Sequence, residues 1–222
     1  HHSPHTPIEA PTKLVQHFQA KLKPELKHQN PAYAAMLKNL DDNVGRVLDH
    51  LQSRRLMDKT VIVFTSDNGG YIGRDRKSGF DAPCTNNAPL RSGKGSLYEG
   101  GIRVPLLVRH PAAKPSEQMQ AAITEDLFFT LLTAAGLAPD EKQPADGIDL
   151  TAVLRDPTAK LQRDRLFWHY PHYYETTTPV SAIRADNWKL LEYFEDGRRE
   201  LFNLKDDPHE LHNLATDQPA QV

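Results

Sequence analysis

The sequence predicts an α/β protein: a mainly parallel, mixed sheet flanked by helices, followed by a small antiparallel sheet at the carboxyl end. Three stretches carry that expectation. Val61-Ile62-Val63-Phe64 is an unbroken β-branched and aromatic run, the pattern of a strand buried on both faces inside a parallel sheet. A long helical apolar period precedes it, and a helix feeding a strand is the unit from which such sheets are built. Near the end, Ser181 to Arg184, Trp188 to Phe194 and Glu200 to Leu204 read as short strands, with Asp196-Gly197 as a hairpin turn between the last two.

Taken in order, the elements follow from local chemistry. Pro4, Pro7 and Pro11 restrict φ and make the opening an extended or turning loop, with His5 inside it. At Asn30 a helix begins, with Asn30 as N-cap and Pro31 in the first helical position. Its apolar stripe is Tyr33, Met36, Leu37, Leu40, Val44, Val47, Leu48 and Leu51, while Lys38, Asp41, Asp42, Arg46 and Asp49 occupy the other faces. Met57-Asp58-Lys59 leads into the strand at Val61. Residues 71–92 are polar and form a long excursion, after which Val104 to Val108 reads as a further core strand. Thr124 is placed to cap a helix with Glu125 and Asp126 in its first turn. That helix has Leu127, Phe128, Leu131, Leu132 and Ala135 as its buried face and Gly136 as its end. Pro139, Pro144 and Pro157 then break the chain, and the hydrophobic period changes from helical to strand-like. The expected division is an α/β portion over residues 1–155 and a small α+β subdomain over residues 156–222.

Composition narrows the classes of partner. The 222 residues are 38% hydrophobic and 25% charged, enough apolar material for a sizeable core. A formal net charge of -2 gives no electrostatic footprint for nucleic acid, and no apolar run approaches a membrane span. The single cysteine, Cys84, excludes internal disulfides and reads as an ordinary loop thiol. The start shows no targeting signal.

Several polar residues stand where chemistry is expected. Asp67 and Asn68 follow the strand at Val61 to Phe64, at the sheet edge where α/β proteins bind ligands. Side by side they offer two hard oxygen ligands for Ca²⁺ or Mg²⁺, though Asp-Asn-Gly-Gly is equally good turn chemistry. Lys94 lies between Gly93 and Gly95, on a backbone that can approach an anion closely; a solvated surface lysine is the plain alternative. His5 in its stiffened loop is either a solvated side chain or a functional imidazole. His169-Tyr170-Pro171-His172-Tyr173-Tyr174 could stack on a sugar or phenyl ring, or pack between subdomains.

Thr65-Ser66-Asp67-Asn68-Gly69-Gly70, followed by Gly93-Lys94-Gly95-Ser96-Leu97-Tyr98-Glu99-Gly100-Gly101-Ile102-Arg103-Val104-Pro105, resembles the second half of the type I sulfatases, the arylsulfatase-like branch of the alkaline phosphatase superfamily. Ser3-Pro4-His5-Thr6-Pro7 resembles that family's His-Thr-Pro segment. Glu200 to Pro208 with Asn213-Leu214-Ala215 resembles its closing segment. The resemblance implies hydrolysis of a sulfate ester of a sulfated carbohydrate or aryl sulfate. It makes Asp67 and Asn68 ligands of one Ca²⁺, Lys94 a partner of a sulfate oxygen, and His5 the group at the leaving oxygen. His169 and His172 become candidates for the substrate pocket, and a periplasmic or secreted location is implied as well.

One departure bears on activity. Family members carry a Cys-x-Pro-Ser-Arg or Ser-x-Pro-x-Arg segment whose first residue becomes the formylglycine nucleophile. Nothing here matches it, and Cys84 in Ala82-Pro83-Cys84-Thr85-Asn86-Asn87-Ala88 lacks the proline and arginine at the required places. The family's first two metal-binding aspartates are also absent. The chain therefore reads as the carboxyl-terminal portion of a sulfatase, with weak or no metal binding and no turnover expected of it alone. A phosphodiesterase or phosphonate hydrolase of the same superfamily, and an inactive truncated protein, are the alternatives.

Overall fold

A computed structural model describes residues 2–140, 142 and 146–221. Pro144, one of the three expected chain breakers, lies outside the described residues. In chain order the helices are α1 (Thr12–Gln19), α2 (Pro31–Ser53), α3 (Glu99–Ile102), α4 (Asp126–Ala134) and α5 (Thr151–Arg155). The strands are β1 (Ile62–Thr65), β2 (Leu106–Arg109), β3 (Arg165–Tyr170), β4 (Val180–Ala185), β5 (Trp188–Tyr193) and β6 (Arg199–Asn203). The chain gathers into two compact units. One takes residues up to Leu51, Asn68–Val104 and residues from Arg165 onward; the other takes Gln52–Asp67 and Pro105–Asp164. Compactness thus groups the first 51 residues with the carboxyl-terminal sheet, whereas the division at residue 155 is a proposal about family domains.

In the second unit, β1 and β2 pair antiparallel, with Ile62 opposite Arg109 and Thr65 opposite Leu106. Between these two strands the parallel direction is corrected, which the expected mixed α/β sheet allows: a parallel neighbour needs a crossover that carries the chain back to the starting end of the first strand. Here the end of β1 meets the start of β2 instead. Burial on both faces is corrected too, since Phe64 is 41% and Leu107 60% exposed. Arg109 anchors this pair to the preceding turn through Asp58, at 3.1 Å.

Helix α4 begins at Asp126, and the expected cap at Thr124 is not what holds it. The Asp126 carboxylate accepts from the amide N–H groups of Ile123 and Ile148, each at 2.9 Å, and pairs with the Arg163 guanidinium. The face of α4 that is buried is correspondingly polar. Thr130 donates to the Asp126 carbonyl at 2.7 Å and accepts from Leu150 N at 2.9 Å, while Phe128 and Leu131 are exposed. A fully buried carboxylate is tolerable only when its oxygens are satisfied, and this one has a cation and two amides. Gly136 ends the helix as expected, with φ +72 and Leu137 N donating to the Leu132 carbonyl at 2.9 Å.

In the first unit, α2 starts as its sequence requires. Asn30, buried, accepts at Oδ1 from the N–H groups of Ala32 and Tyr33, each at 3.1 Å. Burial along α2 concentrates at Pro31, Ala32, Ala35 and Met36. Leu37 and Val47, counted above in the apolar stripe, are exposed. Helix α1 was not expected; Leu14, Val15 and Phe18 supply only a short helical period after Pro11. A small core of Ile8, Ala32, Met36 and Cys84, with Tyr33, Tyr71 and Phe80 against it, ties the opening loop to α2 and to the polar excursion.

The carboxyl-terminal sheet is an antiparallel meander in the order β3-β4-β5-β6, one strand more than the three expected. Asp196-Gly197 forms the β5–β6 turn, with Gly197 at φ +66 and Tyr193 N donating to the Arg198 carbonyl at 2.9 Å. On β5, residues 189, 191 and 193 point to the buried face. Leu191 and Tyr193 join Val180, Ala182, Phe202 and Leu204 around Leu97 and Tyr98. Lys189 occupies the same face with no exposed surface, its ammonium 2.9 Å from Glu99 Oε1 and 2.8 Å from Glu210 Oε1. Removing one member of a buried ionic group leaves its partners charged and unsolvated. Lys189→Met is therefore expected to lower the unfolding free energy by about 3–5 kcal/mol, read as a fall in the urea midpoint; a change below about 1 kcal/mol would mean the ammonium is not held as described.

Candidate functional site

The candidate site is built on two stretches of backbone laid against each other, Asn68–Tyr71 and Arg91–Ile102. Gly69 N donates to the Gly101 carbonyl at 2.8 Å, and Lys94 N donates to the Gly70 carbonyl at 3.1 Å. Asn87 joins the same place from the polar excursion. Its Oδ1 accepts from Gly70 N at 3.2 Å, and its Nδ2 donates to the carbonyls of Gly70, at 2.8 Å, and Ser92, at 3.1 Å. The glycines permit this approach: a Cβ at Gly69 would lie 1.8 Å from the Gly100 carbonyl oxygen, and one at Gly93 2.5 Å from that of Gly70. What the sequence offers as an anion-loop pattern is thus also a packing requirement.

The far end of this stretch is buried. Tyr98 donates to Glu200 Oε2 at 2.7 Å and accepts from the Tyr193 hydroxyl at 2.9 Å, while the Arg91 guanidinium lies 3.9 Å from the centre of its ring. Burial, and then the bonds to Tyr193 and Glu200, push the Tyr98 phenol far up, so it stays protonated and donates. Glu99 N, in the first turn of α3, donates to Glu210 Oε2 at 2.7 Å, and Arg91 donates to the Glu210 carbonyl at 2.9 Å. The closing segment therefore caps the helix that follows Lys94.

The expected site residues fall as follows. Asp67, exposed, lies two residues beyond β1 at the end of the first stretch of the second unit; Asn68, half-buried, begins the second stretch of the first. Lys94 is half-buried, and its backbone is joined to the Asn68–Gly70 turn by the bond to Gly70. His5 is exposed, with Nδ1 2.8 Å from the Thr6 carbonyl. A carbonyl only accepts, so Nδ1 carries the proton and Nε2 is the nitrogen left for other chemistry. The His5 loop is tethered at Ile8, whose N–H donates to Asp75 Oδ2 at 2.7 Å. His169 and His172 are exposed and engage their own sheet: His169 Nδ1 is 2.8 Å from Ser181 Oγ, and the His172 ring is edge-on to Tyr170 at 5.2 Å. Cys84 is buried in the Ile8 cluster, where desolvation raises its thiol pKa.

The polar pattern of residues 71–92 marks no individual contact, yet Asn87 and Asp75 there hold the Lys94 and His5 loops respectively. An asparagine or aspartate bonding backbone at long range leaves no local pattern to read. A metal was expected at Asp67 and Asn68. Their oxygens suit a hard divalent cation, but they are two of roughly six to eight donors, and the described residues contain no group of three or more His, Cys, Asp or Glu side chains arranged to hold one.

Comparison with known proteins gives the class of this fold and then its family. The solved structure of Ps i-CgsB matches with a TM-score of 0.81 at 30% identity, over 99% of this chain and 45% of that one. Ps i-CgsB in complex with k-i-k-neocarrahexaose matches at 0.78 and 29% identity, over the same shares. A sulfatase of Formosa agariphila is 34% identical in an alignment of 240 positions that covers 99% of this chain and 42% of that protein. N-acetylglucosamine-6-O-sulfatase of Bacteroides thetaiotaomicron is 31% identical in an alignment of 191 positions that covers 82% of this chain and 31% of that protein. The family described as Sulfatase matches residues 1–137, and that described as N-sulphoglucosamine sulphohydrolase, C-terminal, matches residues 93–222. The chain belongs to the sulfatase family and corresponds to its carboxyl-terminal part. It spans less than half the length of these relatives.

Asp75 yields a test of how the His5 loop is held. Its carboxylate accepts from Ile8 N at one oxygen and from Lys77 N, at 2.9 Å, at the other. The bond from Ile8, then that from Lys77, holds its pKa below the usual carboxylate range. A depressed carboxyl contributes stability above its unfolded pKa and loses it as the pH falls through the folded one. Protection of the Ile8 amide in hydrogen exchange should accordingly persist through the ordinary carboxylate range and collapse at lower pH. Asp75→Asn, keeping one acceptor oxygen for two donors, should lose much of that protection at neutral pH.

Proposed function

We propose that this chain forms part of the active site of a sulfuric ester hydrolase that acts on sulfated carbohydrates. The observation that carries this reading is the bond between Lys94 N and the Gly70 carbonyl. It makes the loop bearing a cationic side chain and the turn bearing Asn68 a single assembly. Sulfate is a tetrahedral oxyanion, and an ammonium on a rigid backbone stabilises the charge that develops on its oxygens as the ester is cleaved. The names of the relatives support a carbohydrate ester, one being an N-acetylglucosamine-6-O-sulfatase and another having been solved with an oligosaccharide.

In this reading Lys94 binds and orients one sulfate oxygen. His5 addresses the leaving oxygen: with Nδ1–H committed to Thr6, Nε2–H donates its proton to the departing alkoxide oxygen as the sulfur–oxygen bond breaks, so that the sugar leaves as an alcohol. Asp67 and Asn68 would hold a Ca²⁺ together with donors from other parts of the protein, and the ion supplies charge neutralisation when bound. The nucleophile is not Cys84, which is buried and has a raised thiol pKa. His169, on the edge strand β3, and His172, two residues beyond its end, would border the leaving group. A periplasmic or secreted location fits the family; no helix among the described residues is long and apolar enough to cross a membrane.

The reading is tested with the protein at its full natural length, assayed in parallel on the sulfate and phosphate esters of 4-nitrophenol. Sulfate release should dominate, and Lys94→Ala should lower kcat/KM for the sulfate ester by about 10²–10³-fold, the loss typical of a missing oxyanion donor. Chelation should abolish the activity and Ca²⁺ restore it. Preference for the phosphate ester would instead indicate a phosphodiesterase or phosphonate hydrolase of the same superfamily.

A further inference from the structure

The connection between β3 and β4 folds back on itself at its tip. Tyr174 N donates to the Thr177 carbonyl at 3.0 Å, and Thr177 N returns the bond to the Tyr174 carbonyl at 3.1 Å. That tip is fixed onto both stretches of the candidate site. Thr176 Oγ1 donates to the Lys94 carbonyl at 2.9 Å. The Tyr174 ring covers Gly95, where φ is +83 and a Cβ would come within 2.1 Å of the ring, so only glycine lets the ring lie there. On the other side the Tyr71 hydroxyl, one residue past Gly70, donates to Glu175 Oε2 at 3.1 Å. Tyr174 and Glu175 remain exposed and Tyr71 half-exposed, so a carboxylate, a phenol and an aromatic face stay open to a ligand beside the Lys94 loop.

This trio differs chemically from the oxyanion end of the site. A carboxylate accepts hydrogen bonds from hydroxyl groups and repels anions, and an exposed tyrosine ring offers an apolar platform for the C–H face of a sugar. Resting on the sulfatase reading above, we propose that Tyr71, Tyr174 and Glu175 form the leaving-group subsite: the ring of Tyr174 stacks on the sugar, and Glu175 accepts its free hydroxyl groups and excludes a second sulfate on the same ring. Specificity then comes from a repulsive element as much as from an attractive one. Tyr71 acts as a positioning residue that fixes the orientation of the Glu175 carboxylate.

The proposal is tested on the full-length protein with a mono-sulfated disaccharide and the same disaccharide carrying a second sulfate on the target ring. Wild type should favour the mono-sulfated substrate. Glu175→Gln, which keeps shape and removes the charge, should raise the ratio of kcat/KM for the disulfated over the mono-sulfated substrate about tenfold, and Tyr71→Phe should raise it by a smaller factor. Tyr174→Ala should raise KM for both disaccharides about tenfold or more, with a smaller change in kcat. An enzyme that releases sulfate but shows an unchanged ratio in Glu175→Gln and an unchanged KM in Tyr174→Ala overturns the subsite and leaves the sulfatase reading standing. Wild-type protein that releases sulfate from no ester overturns that reading, and the subsite with it.

Discussion

The first unit depends on an ammonium with no access to water. Lys189 comes from the carboxyl-terminal sheet, Glu99 from the helix that follows the Lys94 loop, and Glu210 from the closing segment; all three side chains are buried. Each charge would be costly alone, and only their convergence makes the burial tolerable. The balance is uneven, with two carboxylates to one ammonium and Arg103 3.7 Å from Glu99 at a more exposed edge. Desolvation accordingly raises the Glu210 pKa against the opposing pull of Lys189 and of the Glu99 amide. Such a group contributes little net stability over a well-packed apolar one. It does specify which segments meet, because any other pairing would strand a charge.

How much of this was legible in the sequence depended on how local each interaction is. The Asn30 cap, the Gly136 helix end and the Asp196-Gly197 turn are written in three or four consecutive residues, and each stands where the chain places it. The family blocks around Asp67 and Lys94 were readable for the same reason. Lys189 was not, since a lysine in an alternating strand is normally on the solvent face and only Glu99 and Glu210, 90 and 21 positions away, reverse that. Helix α4 misled in the opposite direction. Its leucines and phenylalanines are the usual core face, but the Asp126–Arg163 pair and the Thr130 bonds occupy the buried side, leaving Phe128 and Leu131 exposed. Pairing direction in β1 and β2 was likewise invisible, because hydrophobic content says where a strand is and not which way its neighbour runs.

The site itself divides along the same line. Residue types suited to sulfate chemistry were legible, whereas the groups that hold them were not. Asn87 uses both ends of its amide to join three backbone groups of Gly70 and Ser92, and Asp75 uses both carboxylate oxygens to join the His5 loop to the excursion. Asn87 has no neighbour in sequence that marks its role, and the local bond from Lys77 N to Asp75 says nothing of the distant one from Ile8. The excursion of residues 71–92 reads as a loop beside a pocket; its polar side chains serve largely as its internal framework.

The Lys94 backbone shows why the family block is so rich in glycine. Its N–H is bound to Gly70, its carbonyl to Thr176, and the residue after it lies beneath the Tyr174 ring. Both backbone groups are therefore used, and the side chain is the part left to turn toward a ligand. Two residues further, Ser96 closes the loop on the Gly93 carbonyl through N–H and hydroxyl together, at 3.1 and 2.9 Å. Then Leu97, Tyr98 and Glu99 sink into the core that Lys189 completes. The backbone that delivers the cation is thus fixed before any oxyanion arrives, and only the side chain has freedom left to lose. The buried ionic group thereby helps to set the position of the Lys94 backbone.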